Sequence, residues 1–86
     1  MHVYVVRWCE RIDGEEKCGN FDVCYTSLDE ARKAMLDDME KTKMDWEKDY
    51  QVFTDFGSGS GCFCEIYIGH GAYDYKDWFI DKLEVM

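Results

Sequence analysis

The sequence predicts an α+β domain: an antiparallel sheet of four to five strands with one amphipathic helix packed on one face. Three observations lead there. Apolar residues recur at helical spacing in a single stretch that starts at Leu28. Short runs of β-branched and aromatic residues lie on both sides of that stretch. The resulting order, β-β-α-β-β-β, keeps strands and helix in separate blocks rather than alternating them. Eighty-six residues with no proline, no repeat and no linker make one domain, 1–86.

The first strand is read from His2 to about Glu10. Asp13-Gly14 follows, the dipeptide of two-residue hairpin turns whose central residues both need positive φ. That turn sets the register, with Ile12 facing Glu15, Arg11 facing Glu16, Glu10 facing Lys17 and Cys9 facing Cys18. Two of these are opposite-charge pairs, which supports it. A bulge is expected at Cys18-Gly19-Asn20, with the second strand running on through Phe21 to Thr26. Ser27 with Glu30 forms a capping box at the helix start. Leu28, Ala31, Met35, Met39, Thr42 and Trp46 line one face as far as about Lys43 to Lys48. Tyr50 to Phe56 reads as a strand, Gly57-Ser58-Gly59-Ser60-Gly61 as a hairpin loop, and Cys62 to Ile68 as the next strand. A polar-aromatic loop through Asp77 leads to a last strand, Trp78 to Val85.

Charge narrows the function classes. Ten Lys+Arg stand against 19 Asp+Glu, a net charge of −9, which leaves little basic charge to build a patch that holds nucleic acid or an anionic membrane directly. The charge is spread along the chain, which marks a solvated surface rather than an acidic tail. With 47% hydrophobic and 16% aromatic residues, the chain is expected to fold. Its opening apolar run, Val3-Tyr4-Val5-Val6, is too short for a leader or a membrane span, which predicts a soluble cytoplasmic protein. Five cysteines (Cys9, Cys18, Cys24, Cys62 and Cys64), an odd count, are read as reduced, mostly buried thiols. Oxidation between the facing Cys9 and Cys18 is expected in air rather than in a reducing cytosol.

Both faces of the first and fourth strands are apolar, yet one helix covers only one face. We assign Val3, Val5 and Cys9, with Cys62, Cys64, Ile66 and Ile68, to the helix side. Tyr4, Trp8, Phe63 and Tyr67, together with Tyr25, then form an aromatic face on the other side. Such rings carry about 150–250 Å2 each, and a monomer's largest apolar patch is about 300–600 Å2, so something should cover this face. The candidates are the segment carrying Tyr73, Tyr75 and Trp78, a second copy of the chain, or another protein. These eight aromatics are the expected partner-binding residues, because Tyr and Trp rimmed by acids have the composition of binding hot spots.

Catalytic and cofactor signatures are weak. Cys62-x-Cys64 on a strand sets its sulfurs about 7 Å apart, too far for one tetrahedral ion, whose thiolates lie roughly 4 Å apart. A nucleophilic Cys62 or Cys64 with His2 or His70 lacks any local activating charge. The glycine-serine loop sits between two strands without the helix and basic residue of a phosphate cradle. Asp37-Asp38, Glu47-x-Asp49 and Asp74-x-x-Asp77 are pairs that an acid-rich composition produces by itself. No cofactor and no catalytic residue is therefore assigned.

Val3-Tyr4-Val5-Val6, then Asp13-Gly14, then Ser27-x-Asp29-Glu30-Ala31 before one amphipathic helix resembles the small acidic proteins of phages and other mobile elements, anti-CRISPR proteins among them. The resemblance covers about the first 40 residues. It implies a non-enzymatic inhibitor that blocks a host complex at its nucleic-acid or partner site. The alternative class is a metal- or small-ligand-binding module using the cysteine face or the glycine loops.

Overall fold

Asp13 and Gly14 both take positive φ, 53° and 82°, and this turn joins strands β1 (His2–Ile12) and β2 (Glu15–Tyr25) of the computed structural model. The structure describes residues 1–57, 61–68 and 74–85. Helix α1 (Leu28–Trp46) and strands β3 (Val52–Asp55), β4 (Phe63–Ile68) and β5 (Tyr75–Glu84) follow. All pairings are antiparallel, in the order β2-β1-β5-β4-β3, so the α+β architecture and element order are those the sequence predicts.

The hairpin register is also as read: Ile12 faces Glu15, Arg11 Glu16, Glu10 Lys17 and Cys9 Cys18. The irregularity falls later than expected. Pairing runs on regularly through Trp8↔Gly19 and Arg7↔Asn20, then resumes at Val5↔Cys24, so Phe21–Val23 take up the extra residues. Gly19 is kept in register because the Trp8 ring lies on it; a Cβ there would sit 2.7 Å from the ring.

At the helix start the Ser27 hydroxyl accepts from the Glu30 N–H (3.4 Å), and the Ala31 N–H donates to the Ser27 carbonyl (3.1 Å). Nineteen residues at 1.5 Å each make a helix about 28 Å long. It lies against β2, β1, β5 and β4. Ala31, Met35 and Met39 are buried against the sheet. Of the predicted stripe, Leu28, Thr42 and Trp46 are half-buried.

β5 is longer than the sequence suggested. The segment read as a loop up to Asp77 is strand from Tyr75 onward, because β1 extends to Ile12 and offers Arg11, Glu10 and Cys9 as partners for Tyr75, Lys76 and Asp77. Tyr75 and Trp78 are thus part of the sheet itself, not of a covering loop. His70, Tyr73 and the middle of the glycine-serine loop lie outside the described residues.

The assignment of faces needs one correction. In β4 the helix side carries Cys64 and Ile66, as expected, but in β1 it carries Tyr4, Val6 and Trp8 instead of Val3, Val5 and Cys9. β5, inserted between β1 and β4, dictates this: Trp78 pairs with Trp8 on one side and Cys64 on the other, so all three share a face. The core under the helix therefore consists of Val6, Ala31, Met35, Met39, Cys64, Ile66 and Trp78, with Tyr4, Trp8, Phe21, Tyr25, Trp46, Val52 and Ile80 packed around it, while Val5 is buried on the other face of β1. Rings fill it because aliphatics are scarce. The chain has three leucines, and two of them, Leu36 and Leu83, are exposed.

Candidate interaction surface

The eight aromatics expected to meet a partner divide between the two sides of the sheet. Trp78 is fully buried under the helix, and Tyr4, Trp8 and Tyr25 pack against the same core. Lys76 closes this side, its ammonium 4.7 Å from the Trp8 ring and 5.2 Å from the Trp78 ring. Phe63, Tyr67 and Tyr75 lie on the opposite face, which no described element covers. Tyr73 lies outside the described residues.

That open face is laid out in rows across the strands. Pairing places Asp77 of β5 directly opposite Glu65 of β4, and Glu65 opposite Asp55 of β3. Two residues along in one direction, Tyr75, Tyr67 and Phe53 form a second row; two residues along in the other, Phe79 and Phe63 face each other. Phe53 and Tyr67 stack at 5.6 Å between centroids and an interplanar angle of 22°. Both are more than a third exposed, whereas Phe63, Phe79 and Tyr75 are half-buried. The Tyr75 hydroxyl donates to Glu16 at 3.3 Å.

Three carboxylates side by side on neighbouring strands repel one another. Burial, followed by the charges of Asp77 and Asp55, raises the Glu65 pKa above the ordinary carboxylate value. Burial also raises that of Asp77, against the opposing pull of a backbone hydrogen bond from Cys9. Two arginines of β1 share this face, and of the two only Arg7 is ion-paired among the described residues. Arg7 pairs with Asp81 and donates to the Asn20 side chain at 3.0 Å, and Arg11 stands opposite Tyr75 and Glu16.

Sequence reasoning missed Phe53, Phe79 and the acid row. The signal was present: Phe63-x-Glu65-x-Tyr67 and Tyr75-x-Asp77-x-Phe79 are the same aromatic-acid-aromatic pattern, brought into line by antiparallel pairing. Phe53-x-Asp55 repeats half of it.

The cysteines do not share one environment. Cys9 and Cys18 are joined in a disulfide at a Cα separation of 4.1 Å, Cys24 is exposed and Cys64 is buried. The expectation of reduced, mostly buried thiols is thus corrected: Cys9 and Cys18 are joined, and of the five cysteines only Cys64 is buried. The Asp13-Gly14 turn holds them face to face at bridging distance. Burial, with Asp77 and Asp38 nearby, pushes the Cys64 thiol up to about 12, away from nucleophilic use. Among the described residues, no group of three or more His, Cys, Asp or Glu is arranged to hold a metal ion. No helix among them is long and apolar enough to cross a membrane.

Searches of protein-family models, curated proteins and solved structures returned no match to this chain.

Proposed function

We propose that this chain is a small acidic, non-enzymatic interaction module that uses the open face of its sheet to engage a basic protein surface. The observation that carries the reading is the uncovered face itself, with exposed Phe53 and Tyr67 set beside an acid row that has no ion pair among the described residues. Aromatic rings supply desolvated contact area, and the negative field of a −9 chain speeds encounter with a positive partner. A second copy is the poorer occupant, because it would bring the same carboxylates to the same face. A basic nucleic-acid-binding protein whose site is blocked by this face fits the charge, in the manner of an anti-CRISPR-like inhibitor. On this reading the protein works in the cytoplasm, where Cys9 and Cys18 would be kept reduced.

The test is capture of partners from the source cell by the tagged chain, compared with a Phe53→Ala/Tyr67→Ala variant across a salt series. A basic partner retained by the parent, weakened by salt and lost by the variant is the expected result. Partners held equally by both proteins would remove the open face from consideration.

A further inference from the structure

We infer that Cys9 and Cys18 form a reversible redox lock on the hairpin of β1 and β2, closed by a low-molecular-weight disulfide such as oxidised glutathione and reopened by the reduced thiol. The bridge lies outside the core: Cys18 is exposed on the edge strand and Cys9 is half-buried. Exposed disulfides are the ones a thiol can reach and exchange, whereas structural ones resist reduction by glutathione. The pair also keeps its place without the covalent bond. The Asp13-Gly14 turn and the facing pairs Glu10↔Lys17 and Arg11↔Glu16 set the register, so the two thiols of the reduced protein face each other, ready to close again. The lock acts on the hairpin whether or not the open face meets a partner.

Closure proceeds by thiol exchange. The thiolate of Cys18, the more exposed of the two, attacks one sulfur of oxidised glutathione, whose S–S bond breaks and releases one glutathione thiolate. The Cys9 thiolate then attacks the Cys18 sulfur and displaces the second glutathione. The protein gives up two electrons and two protons, and glutathione takes them up as two thiols. Cys24, also exposed on β2, is the internal comparison: it faces Val5, so a glutathione joined to it meets no facing thiol and stays. What the lock controls follows from the alternation along β2. Cys18 lies between Glu16, which accepts from the Tyr75 hydroxyl at 3.3 Å, and Asn20, which accepts from Arg7 at 3.0 Å. Bridging β2 to β1 between these contacts makes the outer hairpin open less often and keeps both of them made. Reduction loosens them together.

The test equilibrates the full chain, without oxygen, in glutathione buffers of falling reduced-to-oxidised ratio, then alkylates the remaining thiols for peptide mass spectrometry. The expected result is a Cys9–Cys18 bridge that forms as the ratio falls and is lost when it is restored, with glutathione retained on Cys24. Cys9→Ser should leave Cys18 holding glutathione as Cys24 does. Amide hydrogen exchange is then compared in the reduced and bridged forms. From Glu16 to Asn20, the exchange that does not depend on denaturant, the mark of local opening, should be at least tenfold slower in the bridged form. A bridge that survives a large excess of reduced glutathione would make it a permanent staple and overturn the lock. So would a glutathione that stays on Cys18 of the parent chain, a Cys18 that remains unmodified in the Cys9→Ser variant, or equal local exchange in the two forms.

Discussion

The indole N–H of Trp78 donates a 2.8 Å hydrogen bond to the carboxylate of Asp38, tying the central strand of the sheet to the middle of the helix. Trp78 has no exposed surface, so this is its polar outlet. Asp38→Ala leaves that donor buried without a partner and should cost about 1–3 kcal/mol. Asp38→Asn keeps an acceptor and should cost less. Urea midpoints at unchanged m-value measure both.

Gly19 is tested in the same way. Its φ is not the constraint; the space above it is, because the Trp8 ring would meet a Cβ at 2.7 Å. Gly19→Ala should destabilise by about 1–3 kcal/mol through overpacking and alter the near-ultraviolet dichroism of Trp8. Combined with Trp8→Leu, its additional cost should shrink, because the two residues are in contact and their effects do not add.

Local chemistry made the hairpin and the helix legible. Asp13-Gly14 adopts the two positive φ values its residue types favour, and this alone aligns Cys9 with Cys18. Ser27 and the spacing of Ala31, Met35 and Met39 define the helix in the same local way. The helix-covered face was not legible, because it depends on β5 lying between β1 and β4, a pairing across some seventy residues with no local signature. Asp38 shows the same limit: it lies outside the apolar stripe and looks like one more solvated acid until Trp78 arrives beneath the helix. The acid row was present as a repeated pattern, but Glu65 meets Asp77 only once the register is known.

That row should leave a mark on stability against pH. Glu65 and Asp77 titrate above their ordinary values when folded, so the native state holds protons that the unfolded chain has already released. The contribution of these two groups to stability is therefore greatest below the ordinary carboxylate pKa, about 4, and is lost as pH rises through the raised values. Glu65→Gln should stabilise the protein by about 0.2–1 kcal/mol at neutral pH by removing a directly opposed like charge. The gain should vanish at acid pH, where the glutamate is protonated in both states. Denaturation midpoints of the two proteins across that range give the difference directly; a gain that persists in acid would assign it to packing instead of charge.

Alkylation kinetics should separate the cysteines. Cys24 is exposed and should react with iodoacetamide in the native protein at mildly alkaline pH. Cys64, buried with its thiol pushed up to about 12, should react only as fast as the protein opens, and denaturant should accelerate it. Cys9 and Cys18 should resist labelling until a reductant is added, since both are held in the disulfide. Closing so short a loop constrains the unfolded chain by about 2–3 kcal/mol, so reduction should lower the urea midpoint by a corresponding amount. The ladder pairs Glu10↔Lys17 and Arg11↔Glu16, together with the Asp13-Gly14 turn, remain when the bridge is gone. The reduced protein should therefore keep its sheet and its open face, and amide shifts for Glu65 and Asp77 unchanged on reduction would show it. Large shifts at those two positions would instead tie the disulfide to the geometry of the acid row.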